Sequence, residues 1–577
     1  MNRFASGVRS LRLWLLRIFR VAEWQAALLW AIVAGLLGTL ATELFRAGLY
    51  WADVVALGSG NELVALATGL PWWARIAAPT VGGLAAGGLL VLARRLAVQK
   101  ATSEYMEAIV MGDGRIPVKQ TLLRSASSML SIASGGSIGR EGPMVQLAAL
   151  CASLLGQAFR FPVERLRLLV ACGAAAGLTA AYNAPIAGAF FVAEIVLGSI
   201  AMESVGPIMV ASVVANITMR AFPGYQPAYE MPAFPDIYGP EVLLFAVLGV
   251  LLGLAAVLFL RSLVAARKLF TRLPVALPGR LALGGLVVGI ISVWLPEVWG
   301  NGYSVVNNTL HHTGAWQLLA LLLVAKFVAT LATAGSGAVG GVFTPALFFG
   351  CMVGALFGQA AQALWPHATS APFAYAIVGM GAFLAASAQA PLMAILMIFE
   401  MTLSYQVMLP LMAASVIAYF VARSANAGSM YEITVRRREQ HDERLRLRKL
   451  HVRDLIEPAL TVVRPDAGVE EMRRFFLDYP VKYLYVADAA DRYLGVVPLK
   501  ALTAVLEDPE LAHKRAADLL AQEIGPITAD MDLGEALQRF MEHRGERLPV
   551  IESSDNPLLL GMVAKSALLA TYVRLSE

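Results

Sequence analysis

Gly-Gly-Ser-Ile-Gly-Arg-Glu-Gly-Pro, residues 135–143, and Gly-Ser-Gly-Ala-Val-Gly-Gly-Val-Phe-Thr-Pro, residues 335–345, interrupt two apolar parts of the chain at corresponding places. In each, a proline sits where a helix would start, and its missing N–H costs nothing there. The glycines ahead of it let the backbone bend and approach a ligand closely. A helix start exposes unpaired N–H groups and the positive end of the helix dipole. That makes an anion site without a full positive charge. A bare lysine or arginine would hold an anion too long for rapid passage. Glycine packing between crossing helices explains one such break. Two in matched halves point instead to a midplane binding site.

The surroundings are those of a membrane protein. Of 577 residues, 58% are apolar and only 15% charged, where a soluble chain has about a quarter charged. The mean hydropathy is +0.64. Apolar runs recur at 24–44, 72–92, 243–260, 281–295 and 318–334. Several fall short of the about 20 residues that span a bilayer, and others are broken by Gly or Pro. Broken helices are tolerated in lipid only where protein or a water-filled path covers the freed backbone. Residues 1–24, with Arg17 and Arg20 among apolar neighbours, read as a basic amphipathic helix on the cytoplasmic face rather than a cleaved signal. The segment 436–450 is also basic and reads as a cytoplasmic linker. With both ends inside, the number of crossings is even, and the pI of 9.0 reflects topology, not nucleic-acid binding. Cys151, Cys172 and Cys351 lie in apolar sequence without metal or disulfide spacing.

Glu141 is the telling residue of the first break. A carboxylate inside an apolar bundle is costly and usually functional. Placed among N–H groups that would otherwise hold an anion, an ionised Glu141 competes for the anion's place and a protonated one can swing away. Anion passage is then coupled to protonation. The competing structural reading is a salt bridge to Arg140.

Past Tyr431 the composition becomes charged and reads as soluble α/β. Asp454-Leu455 recurs as Asp518-Leu519, Phe476 as Phe540 and Tyr483–Val486 as Arg547–Val550, each pair 64 positions apart. Each copy reads strand, helix, strand, strand, helix. This resembles a tandem pair of CBS domains, at 451–510 and 511–577, which implies an adenine nucleotide as a possible ligand. The positions that would hold ribose and phosphate are Pro498 and Ala501 in one copy and Ala564 and Ala567 in the other. A bracing role is therefore favoured and no cofactor is expected.

Gly139-Arg140-Glu141-Gly142-Pro143 and Gly341-Val342-Phe343-Thr344-Pro345, with Tyr182-Asn183-Ala184-Pro185, Trp299-Gly300-Asn301-Gly302-Tyr303 and Tyr431, resemble the CLC chloride channel and transporter family, and most of all its bacterial B-type members. The resemblance covers residues 25–435. It implies an all-α polytopic domain of two inverted halves, a homodimer in the inner membrane with one anion path per subunit, and Glu141 as external gate. It further implies an anion-binding set of Arg140, Gly142, Val342, Phe343 and the Tyr431 hydroxyl.

Two departures from the family pattern follow. The stretch Gly112-Asp113-Gly114-Arg115-Ile116-Pro117 is similar to the family's filter motif but lies too close to Gly139 and would put charges in the filter, so it reads as a loop. Thr102 and Ser103 are the candidate hydroxyls in its stead. In Phe191-Val192-Ala193-Glu194-Ile195, Glu194 matches the first of two acids and Ile195 stands at the inner proton position. That favours a passive, voltage- and pH-dependent chloride channel. An H+/Cl− antiporter, with Glu141 and Glu194 as its proton path, remains open. A CBS-based ligand sensor and a fluoride-specific transporter are more distant readings. An intramembrane hydrolase would need paired catalytic groups, and His311, His312 and His367 lie in polar stretches, so no enzyme is expected.

Overall fold

The computed structural model describes residues 23–57, 63–96, 104–198, 201–431 without 224, 226, 238 and 313, and 451–576 without 508–510, 512, 522–524 and 543–545. It divides into two units, Met1–Val435 and Arg436–Glu577. The basic segment 1–22, the linker 436–450 and the candidates Thr102 and Ser103 lie outside the described residues.

Among the described residues of the first unit, seven helices are long and apolar enough to cross a membrane, and shorter apolar helices fill in between them. The helix Val242–Arg272 shows the logic. Phe245, Leu248, Leu252 and Ala256 are buried on one side, while Leu243, Leu251, Leu254 and Leu258 are exposed on the other. A leucine stripe of that kind is unfavourable in water and neutral against hydrocarbon. Small residues set the helix contacts. A Cβ on Gly285 would overlap the Pro79 carbonyl, and one on Gly350 the Gly379 carbonyl, so these backbones touch directly.

The two halves are related. Gly135 and Gly337 both adopt φ of +100°, a left-handed conformation open to glycine, and each ends a helix before a break. They are 202 positions apart (337 − 135), as are Pro143 and Pro345 (345 − 143). Further along, Asn183 and Gln389 take φ of +60° and +59° just before Ala-Pro helix starts. Glu400 accepts hydrogen bonds from the N–H groups of Ile186 and Ala187, both 2.8 Å. Glu194 accepts from those of Leu392 and Met393, at 3.3 and 2.8 Å. Each acid thus caps the helix that carries the other, nine residues beyond its starting proline (194 − 185 and 400 − 391). Reciprocal contacts between equivalent positions are what a local two-fold axis produces.

Lys326 is 1% exposed in the helix Trp316–Ser336. Its ammonium spends its protons on the carbonyls of Val298, Gly300 and Trp299, at 2.8, 2.8 and 3.3 Å. This clamps the loop leading to Tyr303. Lys326→Met should leave three buried carbonyls unmet and cost about 3 kcal/mol, read as a lower melting temperature in detergent.

The second unit holds two three-stranded sheets. In each, a short first strand runs parallel to the second, which forms an antiparallel hairpin with the third: β1 (Val462–Val463), β2 (Tyr483–Ala487) and β3 (Tyr493–Pro498), then β4 (Ile527–Thr528), β5 (Arg547–Ile551) and β6 (Leu559–Ala564). The buried faces of the helices Val469–Asp478 and Leu533–Glu542 cover their own sheets. The copies also exchange backbone: Glu457 pairs with Met562 of β6, and Ala521 with Val496 of β3. Glu457 and Ala521 are 64 positions apart as well (521 − 457) and their partners Val496 and Met562 are 66 apart (562 − 496), and Tyr485, Val496 and Met562 close a small shared core. The expected strand–helix–strand–strand–helix order is observed in both copies.

Candidate functional site

The two Gly-rich breaks meet. Gly139 donates its N–H to the Gly341 carbonyl at 2.8 Å, and Gly341 donates to the Gly139 carbonyl at 2.9 Å. Equivalent residues of the two halves thus form a two-residue antiparallel bridge. Just beyond it the helices Glu141–Ala158 and Phe343–Leu364 begin. Their first N–H groups have no carbonyl one turn earlier in the helix to bond. Two positive dipole ends are therefore brought to one spot.

Glu141 fills that spot and is 3% exposed. Its Oε1 accepts a hydrogen bond from the Thr344 hydroxyl and another from the Tyr303 hydroxyl at 3.2 Å. Tyr182 Oη lies 2.8 Å from Thr344 Oγ1, and Tyr303 Oη 3.4 Å from it. Oε2 is buried and has no hydrogen-bond partner. It rests against the glycines: a Cβ on Gly139 would overlap it, and one on Gly341 would sit 2.9 Å away. Among the described residues Glu141 has no ion-pair partner. Arg140 instead lays its guanidinium over the Tyr303 ring at 4.9 Å, a cation–π contact. The salt-bridge reading of Glu141 is thereby set aside. The Glu141 carboxyl group is met here by two hydroxyl donors, and such bonds to an ionised group are of the stronger, charge-assisted kind.

The other expected residues are placed as follows. Val342 caps the second helix start and Phe343 opens it, its ring 5.1 Å from that of Tyr182. Gly142 faces the Gly340–Gly341 backbone. Tyr431 stands edge-on to Phe191 at 5.8 Å, and the segment before it is pinned to the end of the helix Pro372–Ala388. There Met430 N–H bonds the Ser387 carbonyl at 2.9 Å and Ser429 the Ala388 carbonyl at 2.8 Å. Glu194 is half-buried and bonded to the helix start at Leu392 and Met393, beside a buried Ile195. The 111–117 stretch is a loop, closed by Asp113 accepting the Arg115 N–H at 3.1 Å. His311, His312 and His367 are exposed.

Thr344, Tyr303 and Tyr182 were not singled out by sequence reasoning, although each lies inside a quoted motif. The signal available was a chemical demand: a buried carboxylate without a cation needs hydroxyl donors.

Residues 82–423 match the family described as voltage gated chloride channel, and 452–508 and 516–574 match the CBS domain. A protein of Ralstonia nicotianae that carries the name chloride channel protein ClcB-like is 54% identical over 424 residues, covering 72% of this chain and 98% of that one. The voltage-gated ClC-type chloride channel ClcB of Escherichia coli is 39% identical over 409 residues, covering 70% and 97%. Among solved structures, a slow cyanobacterial Cl−/H+ antiporter superposes with a TM-score of 0.64 at 27% identity, covering 72% and 98%. A eukaryotic CLC transporter, at 17% identity and a TM-score of 0.58 over 94% and 97% of the chains, shares the fold. The chain is a membrane-spanning member of the voltage-gated chloride channel family, with a pair of CBS domains at its C-terminal end.

Proposed function

We propose that the chain is a passive chloride channel gated by protonation of Glu141. The observation that carries this reading is the occupant of the slot: a buried carboxyl side chain, held among the described residues without a cation, where two helix starts converge. Chloride is a monovalent anion that the same donors can hold. Protonation neutralises the carboxylate, removes its attraction to the dipole ends and frees the slot. The open first-turn N–H groups of Val342 and Phe343, with Arg140, Gly142 and the Tyr431 hydroxyl, then line the anion path.

Passive movement is supported by the inner side. Ile195 cannot carry a proton, and the neighbouring Glu194 is engaged by two backbone N–H groups. The antiporter reading has its own support in the likeness to the cyanobacterial Cl−/H+ antiporter. In that reading water reaches Glu141 directly, or Glu194 gives up its helix cap to relay the proton. In both readings the protein works as a homodimer in the inner membrane, with both termini in the cytoplasm. The CBS pair braces the assembly without a nucleotide.

The test is chloride efflux from proteoliposomes, started with a potassium ionophore. The expected result is efflux that accelerates as the external pH falls. Efflux that is absent, or indifferent to pH, would sink the gating reading.

A further inference from the structure

Four of the eight buried threonines among the described residues of the membrane unit satisfy their hydroxyls on their own helix. Thr39, Thr42, Thr309 and Thr333 donate to the carbonyls of Gly35, Gly38, Val305 and Ala329, four residues back, at 2.8 to 3.0 Å. Thr344 cannot. It is the second residue of the helix Phe343–Leu364, so no helical carbonyl lies one turn behind it. Its hydroxyl is 0% exposed as a residue and donates across the slot to Glu141 Oε1.

The proton directions follow from chemistry. An ionised carboxylate only accepts. Thr344 and Tyr303 therefore both point O–H bonds at Glu141 Oε1. Thr344 has one proton, and it is committed. Tyr182, 2.8 Å from Thr344 Oγ1, must then donate to Thr344, which strengthens the onward bond. The ring of Tyr229 stands edge-on to that of Tyr303 at 4.8 Å, and the Arg140 guanidinium covers the Tyr303 ring. The Tyr303 hydroxyl is thus held by packing, independently of the carboxylate.

From this arrangement we infer that Thr344 and Tyr303 are specificity-determining anion ligands, whose hydroxyls serve the Glu141 carboxylate in the closed slot and the transported anion in the open one. The inference rests on the gating reading. When the carboxylate withdraws, two fixed O–H donors, that of the buried Thr344 and that of the half-buried Tyr303, are left pointing at an empty position, and unmet donors shielded from water are costly. A chloride entering the slot meets both, with the same charge as the group it replaces. Directional O–H donors favour a small anion of high charge density, so they also select chloride over larger and more weakly hydrated anions such as nitrate.

The test is made on the full chain in a Glu141→Gln background, so that the ionic part of the latch is absent, and it reads the nitrate-to-chloride ratio, because any bond the glutamine keeps to Thr344 affects both anions alike. Chloride and nitrate efflux from proteoliposomes are compared for Glu141→Gln alone and combined with Thr344→Val, Thr344→Ser or Tyr303→Phe. Thr344→Val should shift the nitrate-to-chloride ratio toward nitrate by about tenfold, the worth of one hydrogen bond to a charged group. Thr344→Ser should restore it, and Tyr303→Phe should move it the same way as Thr344→Val. A ratio unchanged in both hydroxyl-deleted variants overturns the inference and leaves the hydroxyls as a latch only. Tyr303→Phe keeps the test decisive where Thr344→Val fails to fold. Failure of the gating reading is separately visible: Glu141→Gln alone would then keep its pH dependence, while the ratio in the combined variants still decides the ligand role.

Discussion

Chloride flux through the Glu141→Gln variant should be flat across the acid range in which the unsubstituted protein accelerates, and at neutral pH it should exceed the unsubstituted rate by about tenfold or more. Glutamine has the size of glutamate and carries no charge at any pH. Its amide oxygen can still accept from Thr344, so the slot keeps its hydrogen bonding and loses only the ionic part. The attraction of the two helix starts for the side chain disappears with the charge. The variant therefore mimics the protonated gate. Efflux measured from proteoliposomes over a series of external pH values checks this, and a variant as steeply pH-dependent as the parent would remove Glu141 from the gate.

Gly139→Ala should reduce flux by about a hundredfold, from a steric cause that overpacking of a tight site makes large. A Cβ on Gly139 would overlap Glu141 Oε2 and lie 2.9 Å from the Gly341 carbonyl. The first contact blocks the slot. The second strains the bridge that aligns both helix starts. Gly88→Ala is the control, because on the helix Trp72–Arg95, outside the slot, an added Cβ would meet nothing within 4 Å. Combining Gly139→Ala with Glu141→Ala removes the first contact and keeps the second, so partial recovery is the expected result. Equal flux in Gly139→Ala and Gly88→Ala would mean that the path does not pass beside Gly139.

The anion slot was legible because its chemistry is local. Pro143 and Pro345 mark helix starts, and the glycines before them mark backbone that bends and approaches closely. The same holds for the CBS copies, where a 64-residue period and the strand patterns around Tyr483 and Arg547 needed no tertiary information. What could not be read were the partners. Thr344 and Tyr303 reach Glu141 from 203 and 162 positions away, and only the two-fold meeting of the halves brings them there. A threonine in an apolar helix ordinarily bonds its own helix, so nothing in the Val-Phe-Thr-Pro run marks Thr344 as different. Glu194 enters the proton path only through the resemblance of Phe191–Ile195 to the family's paired acids. Its bond to the helix start at Leu392, and the mirror bond of Glu400 to Ile186, depend on a helix in the other half. A proton relay through Glu194 has to open that cap and unpair two backbone N–H groups, at an energetic cost.

The most direct test of the account records chloride and external pH in one vessel of proteoliposomes, with a chloride gradient and no ionophore. The account predicts that neither ion moves appreciably until a potassium ionophore relieves the voltage, and that chloride then leaves while proton movement stays at the level of empty vesicles. Chloride flow that drives protons uphill in a fixed ratio, without ionophore, would contradict it and make the protein an exchanger that works with isoleucine at position 195.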